Sequence, residues 1–381
     1  MKSINSLKPL IKLELKPVLG IGICLMLANI FIWINLNKEL DLVWRDYIAK
    51  GIGSISITGG YTDSIDLIRN TIVGKLTEAT VCYLIGVLFF SIFSMSYERE
   101  TETSHFLKSL PYTTGERSLV KIGTTMVGYT TCFGIYSVVI LLIHGNYVAK
   151  FKEIYDVLAY GELQSQFMQG IDVGINLLVI YVEILAVYLF LMLVQYIVCH
   201  KIGAGIIGIC TLIAPTFIIS SLGYCFSDLI LKSPIWEVFT NALTFIAFKG
   251  GRSSVVDIEG GSNNPYFFHV DYSMGPKIIW YVVIIGMLVF SIRKLSKHQF
   301  LEDADKLVPI KGFRWIFVIG VVVCGSLLAC DMYCWLIEPM MQNSITGTRY
   351  FVVLVGGILS FFISNRIATS GQFKGKEVKH G

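Results

Sequence analysis

Long apolar runs alternate with polar connections along this chain, and each run has about the length of a bilayer crossing. Eight runs stand out, at approximately 17–36, 78–96, 122–143, 173–199, 202–222, 277–292, 315–337 and 350–367. A hydrocarbon core about 30 Å thick is crossed by about 20 helical residues. The pattern therefore predicts an all-α polytopic membrane protein, with about eight transmembrane helices in a single transmembrane domain over 1–381. The sixth run is the shortest, since Lys277 opens it and only 15 uninterrupted residues follow to Ile292. Tilt, or a lysine reaching for the interface, covers the shortfall. The fourth and fifth runs are parted only by His200 and Lys201, which predicts a tight helical hairpin.

Positive charge orients the array. With the N-terminus inside, the inner segments carry 19 Lys and Arg and the longer outer segments 12. That bias favours both termini on the cytoplasmic side. It makes 97–121 a cytoplasmic loop, and 37–77 and 223–277 extracytoplasmic ones. The first outer loop carries the Gly/Ser/Thr-rich stretch WRDYIAKGIGSISITGGYTDS. In the second, Ser233-Pro234 form a helix start, and IWEVFTNALTFIAF follows with Glu237, Thr240, Asn241 and Thr244 as one polar stripe. Such a helix is too short to span, and suits the outer interface or a re-entrant position.

Composition agrees with lipid as the solvent. The chain is 54% hydrophobic and 15% charged, with mean hydropathy +0.66, whereas soluble domains are about 25% charged. Nearly all of the nine cysteines fall inside apolar runs, as Cys324, Cys330 and Cys334 do, and read as small packed hydrophobes. No metal-ligand spacing of Cys or His occurs. The opening MKSINSLKPLIKLELK feeds an apolar run without a small-residue cleavage site, so that run is expected to stay as the first helix.

The most informative segment lies between the second and third runs: SYERETETSHFLKSLPYTTGERSLVKIG. Glu98, Arg99, Glu100 and Glu102 form a charged entry, Phe106, Leu107 and Leu110 give one apolar face, and Pro111 ends the helix. A short amphipathic helix of this kind rests on lipid or docks into a groove on a partner protein. The positions Glu98, Glu100, Thr103, Phe106, Leu107, Ser109, Leu110, Pro111 and Lys121 resemble the first cytoplasmic loop of ABC-2 type transporter permeases. Two positions depart from the family pattern: Glu102-Thr103 stands for its usual Gly-Thr, and Thr113-Thr114 for its small-Arg pair. The resemblance implies that 97–121 holds a coupling helix seated on a separate ATP-binding subunit. Glu98, Glu100, Glu102, Phe106, Leu107, Leu110, Pro111 and Lys121 would then be the coupling residues. It further implies a second permease copy or paralogue, and export, as is usual in that family.

A nucleotide site of the chain's own is not expected. A P-loop needs G-x-x-x-x-G-K-[ST], and the Gly-Lys pairs here, Gly74-Lys75 and Gly375-Lys376, are followed by Leu and Glu. ATP would act through the partner subunit, and no cofactor, metal or nucleic acid is expected on this chain. Within the runs a charge is costly and marks either a polar path or a structural pair. Glu183 sits in the middle of the fourth, Asp331 toward the outer part of the seventh, and Glu78 opens the second at the outer edge. An intramembrane transferase needs clustered nucleophiles, bases or metal ligands, yet the six histidines are scattered. The expectation is a non-enzymatic transport subunit in the cell membrane, with a non-transporting sensor or immunity protein as the alternative and a transferase behind both.

Overall fold

The computed structural model describes residues 4–49, 60–96, 111–157, 170–198, 201–225, 255–256, 267–268, 274–296, 311–336 and 346–369. These residues are almost entirely helical: α1 Ile4–Ala49, α2 Gly60–Ser96, α3 Thr114–Val157, α4 Gly170–Ile197, α5 Lys201–Cys225, α6 Met274–Leu295, α7 Lys311–Leu336 and α8 Thr346–Thr369. The only other pairing among them is a two-residue antiparallel ladder, with β1 (Val255–Val256) beside β2 (Phe267–Phe268). Within the described residues each apolar run thus falls almost wholly in one helix, and the chain is an all-α, multi-pass membrane protein.

Seven of the helices are long and apolar enough to cross a bilayer. In α5 the apolar stretch Gly203–Pro215 is shorter than a crossing. Large apolar side chains stand exposed along the helices, among them Leu19, Leu27 and Phe31 on α1, Val127 and Leu142 on α3, Ile319 and Trp335 on α7, and Phe351 and Phe362 on α8. In water such faces would drive aggregation; against acyl chains they are at no disadvantage. α4 is the most enclosed, with 78% of its apolar window buried against 11–28% for α1, α3, α6, α7 and α8.

Several helices run past the apolar limits set by hydropathy. α1 continues from residue 37 to Ala49 and α2 begins at Gly60, so much of the expected outer loop 37–77 is helical. The extension is amphipathic: Leu36, Leu40 and Val43 are buried at helical spacing while Lys38 and Leu42 are exposed. α3 likewise continues to Val157, with Tyr147 buried on the same face as Ile140.

The start of α3 is fixed by a reciprocal cap. Pro111 forms a bend, and two residues on, the Thr113 amide donates to Glu116 Oε2 at 3.0 Å while the Glu116 amide donates to Thr113 Oγ1 at 3.2 Å. This is a capping box, satisfying two amides that the first turn leaves without helical partners. Replacing Thr113 by alanine is expected to cost about 1 kcal/mol, read as a drop of a few degrees in the melting temperature of detergent-solubilised protein.

Further along α3, hydroxyls are returned to the helix itself. Thr125 Oγ1 donates to the Lys121 carbonyl at 3.0 Å, Thr130 to Met126 at 2.7 Å, Thr131 to Val127 at 2.9 Å and Ser137 to Phe133 at 2.8 Å, with Thr124 doing the same to Val120. Bonds to the carbonyl four residues back let a helix rich in Thr and Ser enter hydrocarbon with its polar groups satisfied.

The chain divides into two compact units. The first comprises Met1–Phe90, Arg117–Tyr188 and Gly250–Met287; the second comprises Ser91–Glu116, Leu189–Lys249 and Leu288–Gly381. The core of the first is built from the inward faces of α1, α2, α3 and the first part of α4. In the second, α7 and α8 form an antiparallel pair whose buried centre is Cys330, Tyr333 and Cys334, packed by Val352 and Val353. Another cluster there, Val194, Ile197, Val198 and Ala204, packs the end of α4 against the start of α5; His200 of the expected hairpin lies outside the described residues.

Candidate functional site

One face of α3 carries polar and aromatic residues through the first unit. Lys121, Thr125, Tyr129, Cys132, Phe133, Tyr136 and Tyr147 are buried on that face. From the first to the last the helix rises about 39 Å, more than the hydrocarbon thickness of about 30 Å. Neighbouring helices answer this column level by level.

Near the start of α3, Lys121 is 1% exposed, and its Nζ lies 4.0 Å from Glu14 Oε1 on α1. Tyr188 of α4 is buried at the same level, against Thr125 and within electrostatic range of Glu14. One level on, the rings of Tyr129 and Tyr181 stack at 5.4 Å, and the Thr130 and Tyr181 hydroxyls are hydrogen-bonded at 2.8 Å. Tyr83 of α2 meets Tyr129, Phe133 and Tyr136 edge-on, at centroid distances of 5.6, 5.2 and 6.1 Å. The Asn29 side-chain amide on α1 donates to the Tyr83 hydroxyl at 2.9 Å and to the Cys132 carbonyl at 3.4 Å. Edge-to-face contacts of this kind add about 0.5–1.5 kcal/mol each beyond the area they bury.

Beyond the aromatic layer lies a charged one. Lys75 is buried on α2, and its Nζ is 2.9 Å from Glu39 Oε1 and 2.9 Å from Glu78 Oε1. The Tyr136 hydroxyl reaches the Lys75 carbonyl at 3.5 Å. Both carboxylates are about half exposed, which places this layer at the rim and lets solvent screen it. Last in the column, the Tyr147 hydroxyl donates to Asp41 Oδ1 at 2.6 Å, and Lys150 lies over the Tyr147 ring at 4.6 Å.

The singled-out carboxylates sit in three different settings. Glu183 has no exposed surface and lies within electrostatic range of Tyr281 on α6, which packs with Val182, Ala186, Ile284 and Ile285. Glu78 belongs to the Lys75 layer. Asp331 belongs to the second unit, where the Ser221 hydroxyl of α5 donates to it. Glu78 and Glu183 therefore hold different places in the first unit, and Asp331 belongs to the second. Of the coupling residues, Pro111 is exposed at the bend and Lys121 is buried in the column, whereas Glu98, Glu100, Glu102, Phe106, Leu107 and Leu110 lie outside the described residues. The expected interfacial helix after Ser233-Pro234 also lies outside them.

Lys75, Glu14, Asn29 and the tyrosine layer were not among the expected site residues. Their sequence signal is the recurrence of Lys121, Thr125, Tyr129, Phe133 and Tyr136 at helical spacing within an apolar run. Chemically, the column offers hydroxyls, one amide, aromatic faces and paired charges, all packed against one another. No family model matches the chain, and comparison with curated proteins and with solved structures likewise finds no match.

Proposed function

We propose that the chain is the membrane-spanning subunit of an ATP-driven exporter in the cell membrane, working with a separate ATP-binding subunit and a second permease copy or paralogue. The observation that carries this reading is the segment from Glu98 to Lys121, which joins α2 to α3 and resembles the coupling loop of ABC-2 type permeases. In this reading eight helices cross the membrane, α5 included, with both termini inside. Force on 97–110 passes through the capped start of α3 into the helix that bears the polar column. A column of paired polar groups suits such a role: satisfied it holds the helices together, and parted it presents hydroxyls and charges to a polar or amphipathic cargo.

The test is a mild-detergent pull-down of the tagged protein from its native cells, with ATP hydrolysis assayed in the eluate. The expected result is capture of an ATP-binding subunit by the wild type and at least tenfold less by Leu110→Asp, which inserts to the same level. Equal capture by both would remove Leu110 from the interface, and capture of no ATPase by the wild type would overturn the transport reading.

A further inference from the structure

Beside the polar column, with Cys132 at the boundary between the two, α1 and α3 leave a long apolar groove of about 750 Å³ between them. It is lined by Leu15, Leu19 and Ile23 on α1 and by Val120, Gly123 and Val127 on α3. From Ile11 to Leu27, the ends of its α1 wall, the helix rises about 24 Å, longer than the hydrocarbon of one leaflet, about 15 Å. Several wall residues, Leu15, Leu19, Ile23, Leu27 and Val127, are exposed on a lipid-facing surface.

The groove has charge at one end. Lys8 and Lys12 are exposed on α1, at the angular position of its groove wall and less than one turn to either side of Ile11. On α3, Arg117 stands one turn before Val120, in the register of Val120, Thr124 and Val127. Its Nε is buried and has no hydrogen-bond partner among the described residues. Three cations thus ring one mouth of an otherwise apolar slot, with Lys16 exposed on the next turn of α1.

We infer that this groove holds an acyl chain of an anionic phospholipid, whose phosphate meets Lys8, Lys12 and Arg117. A zwitterionic lipid fills the slot equally well but gains nothing net at the cationic mouth. Each basic residue near an anionic headgroup favours binding roughly fivefold. Lipid retained here would wedge α1 and α3 at a set separation. The inference is independent of the transport reading, since it concerns only the lipid-facing side of the first unit.

The experiment is native mass spectrometry of purified, delipidated protein re-equilibrated with an equimolar mixture of dioleoyl phosphatidylglycerol and dioleoyl phosphatidylcholine. Wild type is expected to retain phosphatidylglycerol with at least tenfold preference. Combined Lys8→Gln, Lys12→Gln and Arg117→Gln substitutions should bring that preference within about twofold of unity. A Cβ on Gly123 meets nothing within 4 Å, so Gly123→Phe starts from open space in the slot and should lose bound lipid of both classes. Equal retention of the two lipids by wild type, or an unchanged preference in the triple variant, would overturn the inference. So would an inter-chain disulfide formed by Leu19→Cys in native membranes and absent from wild type, because it would seat a second copy in the groove.

Discussion

Gly356→Leu is expected to separate α7 from α8 and to remove most of the folded protein from a mild-detergent extract. A Cβ at residue 356 would lie 2.6 Å from Ala329 Cβ and 3.4 Å from both the Gly325 carbonyl oxygen and the Ser326 Cα. Two of those neighbours are backbone, which no rotamer change can move. Across the same contact, a Cβ at Gly325 would run into the Ser360 side chain. Gly356 thus faces Ala329 and Gly325 faces Ser360, small residues that let the helix backbones approach, which is how such residues drive helix association where lipid removes the hydrophobic contribution. Overpacking a fitted site costs about 1–3 kcal/mol, and a leucine that parts two helices along their length belongs at the top of that range or above it. Gly357→Leu is the control, since its Cβ would meet only Ser326 Cβ at 3.6 Å and Val322 Cγ1 at 3.9 Å, ordinary contacts. Fluorescence-detected size-exclusion of the two variants should show the first aggregated and the second close to wild type. Equal profiles would mean that the α7–α8 contact is loose.

Much of the fold follows from features the sequence displays openly. Apolar runs locate helices because a bilayer leaves a backbone few other ways to satisfy itself. Hydropathy is blind to what continues beyond the lipid. In α1 the residues from Leu36 to Val43 include Asn37, Lys38, Glu39 and Asp41, so a hydropathy window marks a loop, while the helix persists because Leu36, Leu40 and Val43 share a buried face. Site residues were legible to a smaller degree. Glu183 was conspicuous as a charge amid apolar residues and is fully buried, but its neighbour Tyr281 lies almost a hundred residues away on α6, and no local pattern links the two. Lys75 and Lys121 sit close to the ends of apolar runs and read as loop cations that orient the chain. Both are buried instead, because Glu39 and Glu78 answer one and Glu14 the other. Such pairings depend on which helices pack together, which a single sequence does not display.

Lys121 brings these strands together, because it is both a match to the coupling-loop pattern and a buried member of the column. Lys121→Met is expected to be severely destabilising on its own. It removes the cation that lies 4.0 Å from the Glu14 carboxylate, whose side chain is only 13% exposed. Removing one partner of a buried pair typically costs about 3–5 kcal/mol, whereas replacing both by apolar or neutral groups of similar size is often neutral. The 4.0 Å separation and the residual exposure of Glu14 put the expected loss at the lower end, about 3 kcal/mol. The double variant Glu14→Gln, Lys121→Met should therefore recover most of the melting temperature lost by Lys121→Met alone. The same pair of proteins separates the two roles. If Lys121 acts only within the column, the double variant regains both its fold and its capture of the proposed ATP-binding subunit. Should it regain the fold while capture stays low, Lys121 contributes to coupling through its charge, as the loop resemblance implies. A single Lys121→Met variant as stable as wild type would show that Glu14 is answered by other groups, and that the charged level at the start of α3 does not depend on this pair.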